Sequence, residues 1–327
     1  MSALALFPSV PEPQLVGIAR LAAAGKSVGL GHEIEYFTLS ARSLLNRCTS
    51  PRMPFTWTIN PYRGCEFACK YCYARYTHEF MEMRNGIDFE RKIYVKQNAA
   101  WLLRNDLKKV KPGESIALGT ATDPYQPAER RYQATRAILE EFTQHRGFEL
   151  GIVTKSSMIE RDIDVLQAVQ RSNQLDINIT VTTTNIRLAR VLEPRAPRPD
   201  LRLRTLARLS QAGLRAGVIC APILPGITDA PRSLEALVKA AAEAGAQWVY
   251  QNPLFLKPCS EKIFMPFLEK EFPELVENYR ERYRSNAFVS SSYRERISAL
   301  MRKLRKKYKV GERYERPAPQ IAQPAEG

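Results

Sequence analysis

Three cysteines, Cys65, Cys69 and Cys72, separated by three and then two residues, stand in the stretch Asn60-Pro61-Tyr62-Arg63-Gly64-Cys65-Glu66-Phe67-Ala68-Cys69-Lys70-Tyr71-Cys72-Tyr73. Folded round a loop, that spacing lets three thiolates converge on one face of a cubic iron–sulfur cluster, which needs four ligands. No fourth cysteine stands nearby at matching spacing, so one iron is left open for something else to bind. Other chemistries use the same residue types. His78, close downstream, offers a fourth ligand for a tetrahedral zinc site, but compact local zinc sites serve small loop-rich modules and this motif opens a long chain of strands and helices. A thiol–disulfide centre fits poorly, because the Cys-x-x-Cys pair has a third cysteine beside it. The remaining Cys48, Cys220 and Cys259 read as small buried hydrophobes.

Several elements must position this loop. Short apolar strands are expected at residues 55–59, 115–118, 149–153, 177–183, 216–221 and 247–251, with amphipathic helices near 128–144, 159–170, 201–212 and 233–244. Six β–α steps imply parallel strands joined by right-handed crossovers. A doubly wound open sheet and a full or partial (β/α) barrel both satisfy that pattern. No Gly-x-Gly-x-x-Gly string follows the first strand; polar residues instead follow the C-terminal ends of several strands, where barrel enzymes keep their chemistry. Residues 1–50 read as an N-terminal lead-in, with a helix near 13–24 and a loop at Gly29-Leu30-Gly31-His32. The core spans 51–255, a basic helical C-terminal extension 256–316 with helices near 261–284 and 293–308, and a disordered tail 317–327.

The 327 residues, 44% hydrophobic, suffice for one large core or two modest ones. There is no apolar run of about 18 residues and no signal-peptide pattern, which places the expected protein in the cytoplasm, away from membranes. Cysteines grouped as ligands fit a reducing compartment better than a disulfide framework. Lys and Arg total 49 against 34 Asp and Glu, a net charge of +15 that favours a polyanionic partner, nucleic acid above all. Between Arg294 and Lys309 the basic residues Arg294, Arg296, Arg302, Lys303, Arg305, Lys306, Lys307 and Lys309 face a single acid, Glu295. Such a run serves either as a solvated helix face or as a phosphate-binding surface.

The pattern Cys-x3-Cys-x-aromatic-Cys, with Tyr71 as the aromatic, resembles the signature of the radical S-adenosylmethionine (SAM) enzymes. The resemblance implies a 4Fe–4S cluster on Cys65, Cys69 and Cys72 whose open iron chelates SAM, reductive cleavage of SAM to a 5′-deoxyadenosyl radical, and a partial (β/α)6 TIM-type barrel. It also implies a reductant, a flavodoxin- or ferredoxin-type electron donor. SAM would then lie across the strand ends, which carry Thr120, Thr122, Asp123, Lys155, Thr180 and Thr182. Lys155 suits the carboxylate of SAM, and Asp123 its ammonium or a ribose hydroxyl. Thr-x-Thr is also ordinary strand chemistry and Asp123-Pro124 an ordinary turn. Glu193 and Arg195 either line the pocket or pin their loop as an ion pair; Tyr125 and Tyr132 are expected to pack.

The segments Asn60 to Tyr73, Gly119 to Pro127, Val153 to Ser156, Glu193 to Pro197 and Val218 to Gly226 are similar to the spore photoproduct lyase-like branch, often described as DNA repair photolyase-like. That resemblance implies that Lys155 contacts the SAM carboxylate and that Thr180 faces SAM. In one respect the chain departs from it. True spore photoproduct lyases carry a hydrogen-donating cysteine just after strand two, where this chain reads Gly119-Thr120-Ala121-Thr122-Asp123. A threonine O–H bond is too strong to take that role. Cys220 and Cys259 are the remaining thiols able to approach a barrel mouth, with Cys259 the preferred catalytic candidate. The substrate expectation is nucleic acid, damaged DNA first; a small metabolite or peptide is the alternative within the same chemistry. A zinc-bearing, non-catalytic nucleic-acid binder is the rival of another class.

Overall fold

The computed structural model describes residues 15–31, 33–50 and 53–312. The expected tail at 317–327 lies outside the described residues, as does His32. The chain enters through β1 (Ser27–Gly31), β2 (Ile34–Leu39) and β3 (Leu45–Arg47), then β4 (Trp57–Ile59), β5 (Tyr62–Arg63) and β6 (Lys92–Lys96). It continues through β7 (Ser115–Leu118), β8 (Glu149–Thr154), β9 (Gln174–Thr180), β10 (Ala216–Ile223) and β11 (Val249–Pro253).

Strands β4, β7, β8, β9, β10 and β11 are parallel and lie side by side in chain order, with β3 added antiparallel at the β4 edge. An order that never reverses leaves no topological switch point, which rules out the doubly wound alternative and gives the partial (β/α)6 barrel. Alternate strand residues such as Ile116, Leu118, Leu150, Ile152, Ile177 and Ile179 share one core with Leu103, Leu139, Leu166, Leu206 and Leu237 of the surrounding helices. Each buried leucine of this layer contributes roughly 1.5–3 kcal/mol relative to an exposed one. Cys220 belongs to that same layer, so it packs against helices and does not reach the barrel mouth. No helix among the described residues is long and apolar enough to cross a membrane.

Expected and observed elements differ where tertiary contacts override local pattern. The helix expected over 128–144 is broken into Glu129–Tyr132 and Ala134–Thr143 by Gln133, whose φ is 47°. The buried Glu129 carboxylate explains the break: it accepts from the backbone N–H groups of Thr135 and Arg136 at 2.9 and 3.1 Å, satisfying two orphan donors of the second helix. The helix expected over 261–284 is likewise two, Pro258–Glu271 and Val276–Tyr283, separated at Pro273.

The loop expected at Gly29–Gly31 is strand β1. It belongs to a second sheet, ordered β1-β2-β6-β5, that the sequence pattern does not announce. Its last strand, β5, leads directly into Cys65, so N-terminal residues help position the cysteine loop.

Candidate active site

The cysteine loop hangs from β4 and β5 and is fixed on every side by backbone and buried side chains. Gly64 takes φ +85°, and a Cβ there would stand 2.7 Å from the Lys92 carbonyl oxygen, so only glycine fits. The Cys65 N–H donates to Phe89 O at 2.9 Å, and the Gly64 carbonyl accepts from Thr122 Oγ1 and Gln126 Nε2 at 2.6 and 3.2 Å. Glu66, buried between Cys65 and Cys69, receives the Ala128 N–H at 2.8 Å and the Tyr36 hydroxyl at 3.0 Å. Arg75 returns from the far side of the loop to the Cys69 carbonyl at 3.1 Å while paired with Glu90 at 2.8 Å.

The three thiols feel one another inside this loop. Burial pushes Cys65 well above the ordinary thiol range, with Asp123, Cys69 and Cys72 adding to it. Burial likewise pushes Cys69 up to about 12, against the pull of Lys155. A bound metal would supply positive charge that favours the thiolate form of sulfurs so placed. Among the described residues no three His, Cys, Asp or Glu side chains close round a single point as a mononuclear ion requires. A cubane asks for less convergence, because each thiolate binds its own iron. His78 is engaged elsewhere: its Nε2 lies 3.0 Å from Lys92 O and its ring packs edge-on against Phe89 and Tyr94. The zinc tetrahedron that needed His78 therefore has no support in the geometry, and the donor set fits an iron–sulfur cluster.

Behind the loop lies a buried polar cluster. The Tyr71 hydroxyl donates to Glu193 Oε1, which also accepts from Thr182 Oγ1 at 3.1 Å, while Glu193 Oε2 pairs with Arg202. Burial alone would raise the Glu193 carboxyl, but Arg202 and Lys155 outweigh it and hold it below the usual range. The Lys155 ammonium sits 5.8 Å from the centroid of the Tyr71 ring. Burial pulls it down, yet Cys69, Glu193 and Asp123 win and keep it charged. The Lys155 ammonium thus stands as a half-buried cation between Cys69 and Glu193, just past the end of β8.

Residues 59–241 match the family described as the radical SAM superfamily. The chain belongs to the radical SAM superfamily. Its cofactors are accordingly a 4Fe–4S cluster and SAM. An uncharacterized protein of Mycobacterium tuberculosis is 34% identical over 313 residues, 95% of this chain and 90% of its own. Another, from Methanocaldococcus jannaschii, is 28% identical over 248 residues, 76% and 88% of the two chains. Among solved structures, spore photoproduct lyase complexed with dinucleoside spore photoproduct matches with TM-score 0.65 and 16% identity over 90% of this chain and 84% of that one. Streptococcus suis SuiB bound to precursor peptide SuiA matches with TM-score 0.50 and 13% identity over 78% and 47%. At such identities the structural likeness is one of fold.

Within this radical SAM site the sequence candidates fall into distinct places. Cys65, Cys69, Cys72, Tyr71, Lys155 and Thr182 gather with Glu193. Asp123 is adjacent but occupied: its two oxygens accept from Tyr125 N–H, Thr154 Oγ1 and Lys155 N–H at 2.9, 2.7 and 2.8 Å, which makes it a clamp between two strand ends. Thr122 clamps the loop through Gly64, and Thr120 contacts Asn60 Nδ2 through its hydroxyl while its carbonyl accepts from Tyr73 OH at 2.5 Å. Thr180 is buried and its carbonyl accepts from Arg202 at 3.1 Å. Arg195 is exposed and its N–H donates to Phe67 O at 3.3 Å; of its two readings, pocket lining or an ion pair with Glu193, the ion pair is not formed, since Glu193 pairs with Arg202. Arg202 comes from the helix Pro199–Gln211, where its sequence context reads only as an amphipathic helix. Cys259, at the start of Pro258–Glu271, donates its thiol to the Tyr73 carbonyl at 3.5 Å, one residue from Cys72.

Glu66, Gln126 and Arg202 are the residues sequence reasoning missed. A carboxylate lodged between Cys65 and Cys69 is the available signal for the first. Gln126 stood in the Asp-Pro-Tyr-Gln-Pro run without a role.

Proposed function

We propose that this protein is a radical SAM enzyme whose substrate is nucleic acid. The observation that carries the substrate half is an exposed basic face on the helix Ser291–Tyr308, formed by Arg294, Arg302, Lys303 and Lys306 on a chain of net charge +15. The fold shared with a lyase solved with a dinucleoside photoproduct supports the same direction. Cys65, Cys69 and Cys72 hold the cluster, and Lys155 receives the carboxylate of SAM, with Tyr71, Thr180 and Thr182 lining its place. When bound, the two cofactors together supply a 5′-deoxyadenosyl radical that abstracts hydrogen from the substrate. The protein's own contribution is to orient SAM, exclude water and shield the radical. Cys259 is a non-ligand thiol whose Sγ reaches the residue after Cys72, and we assign it the hydrogen-donating role that the threonines after β7 cannot fill. An electron donor of flavodoxin or ferredoxin type completes the cycle in the cytoplasm.

The test is anaerobic reconstitution followed by reduction with SAM present. 5′-Deoxyadenosine that forms in wild type and not in Cys69→Ala supports the chemistry, and stimulation by damaged DNA supports the substrate. Stoichiometric zinc without acid-labile sulfide would overturn the assignment of the loop. Stimulation by a peptide or small metabolite, and not by DNA, would overturn the nucleic-acid reading.

A further inference from the structure

Ahead of the cysteine loop lies a cavity of about 200 Å³ that the proposed chemistry does not use. Its walls include Thr58 and Asn60 of the first barrel strand and its exit, Ala121 after β7, Tyr76, and two cations, Arg63 and Lys96. Lys96 is only 5% exposed. Arg63 has a buried Nε with no hydrogen-bond partner, and its Nη1 reaches only the Thr77 carbonyl at 3.5 Å. The acid that bears on Lys96 is Asp106, and it is already saturated. Asp106 accepts from Ser43 Oγ, from the Leu44 and Leu45 N–H groups and from Lys109 Nζ at 2.7, 2.7, 3.1 and 2.6 Å.

Two like charges lining one cavity, with no carboxylate among the described residues hydrogen-bonded to either, are unfavourable in the free protein, since desolvation and mutual repulsion are only partly compensated. The Lys96 ammonium shows the cost: burial, and after it Arg63, hold it down to about 7, with Asp106 only partly opposing. An oxyanion placed between the two cations would reverse both effects. The cavity is smaller than the roughly 300–1,000 Å³ of sites that enclose whole drug-sized ligands, so it suits a group and not an entire nucleotide. Arg63 is two residues from Cys65, and Asn60 and Ala121 are bonded to each other at 2.8 Å beside the strand end that carries Thr120.

We propose that this cavity is a subsite for a phosphate group carried by the substrate. It anchors the substrate on one side of the cysteine loop while SAM is held by the Lys155 side. The inference deepens the reading above and rests on it for the source of the phosphate. Arginine supplies a planar fork for two phosphate oxygens and lysine a point charge, the combination commonly used for phosphate.

The experiment titrates the cofactor-loaded protein calorimetrically with inorganic phosphate, with sulfate and with a thymidine dinucleoside monophosphate, thymidine serving as the unphosphorylated control. Wild type, Lys96→Met and Lys96→Gln are compared at matched iron content and melting temperature. The expected result is one-site oxyanion binding weakened at least tenfold in both variants, with inorganic phosphate competing against the dinucleotide. Wild type that binds neither oxyanion, variants that bind as tightly as wild type, or phosphate that fails to compete with a bound dinucleotide overturns the subsite. Lysine-dependent oxyanion binding without any dinucleotide binding supports an oxyanion site here and overturns the nucleic-acid reading, so the two claims fail separately.

Discussion

Glu193 and Arg202 form an ion pair shut away from solvent, with the two side chains 0% and 1% exposed. The pair is the hinge of the polar cluster behind the cysteine loop, because Glu193 also takes the Tyr71 hydroxyl and Arg202 also donates to the carbonyls of Pro197 and Thr180 at 2.7 and 3.1 Å. Removing Arg202 leaves the buried Glu193 carboxylate with Lys155 as the cation that still bears on it. Arg202→Met is expected to destabilise the protein by about 3–5 kcal/mol, while the double variant with Glu193→Leu recovers much of that loss. Urea unfolding of the three proteins decides it; a double variant no better than the single one would show that the pair does not act as a unit.

Gly64→Ala should damage the cluster site directly. Its Cβ would meet the Lys92 and Phe89 carbonyl oxygens at 2.7 and 2.9 Å from a backbone at φ +85°. Strain of this kind costs on the order of 1–3 kcal/mol, and the loop must shift to relieve it. Iron and acid-labile sulfide per chain should fall after reconstitution, and full cluster loading would refute the expectation.

Cys259→Ser tests the hydrogen donor. With the thiol removed, 5′-deoxyadenosine should still form in the presence of substrate, because Cys65, Cys69, Cys72 and Lys155, the proposed cofactor residues, are untouched. Substrate product should fall tenfold or more as unquenched radicals divert to side products. Equal product yield from Cys259→Ser and wild type removes Cys259 from the mechanism.

The His78 imidazole carries a pH signature. Burial holds it down to about 4, whereas an unfolded histidine titrates near 6.5. Between those values the unfolded chain binds more protons than the folded one, so stability rises with pH through the window and is level above it. Going from pH 7.5 to pH 5, this group should cost on the order of 2 kcal/mol. Melting temperatures of wild type and His78→Gln across that range check it: the variant's acid slope should be the shallower.

The basic helix separates into two populations. Arg305 is buried, bonded to Gln251 Oε1 at 2.6 Å and paired with Glu312 at 2.8 Å, and Lys307 is paired with Glu235 at 2.5 Å. Substituting Arg302, Lys303 and Lys306 by glutamine should therefore flatten the salt dependence of DNA binding by about 0.7–0.9 in log–log slope for each phosphate no longer neutralised, with melting unchanged. Arg305→Gln should lower the melting temperature instead. A triple variant with the wild-type salt slope makes the helix a solvated face only.

The barrel is legible because six short apolar runs alternate with helical periods, and strand ends carry their polar residues in sequence. The second sheet is hidden: β6 reads Lys92-Ile93-Tyr94-Val95-Lys96, too charged at its ends to stand out, and β1 is rich in glycine. In the site, Lys155 declared itself as a lone cation after a strand, and the cysteines by spacing. Arg202 did not, since an arginine every few residues along an amphipathic helix is the usual solvated pattern, and only the folded path turns this one inward. Asp123 reads equally as ligand or turn until its three donors are seen.

The pairing that locks the cysteine loop spans a long stretch of chain. Tyr71 meets Glu193 across 122 residues, and Glu193 meets Arg202 only nine further on. A nascent chain that has delivered the cysteines still lacks the carboxylate and the guanidinium that close the rear of their site. The rear of the site therefore closes only after the fourth barrel strand has docked, which makes the cysteine loop a late-ordering part of the fold.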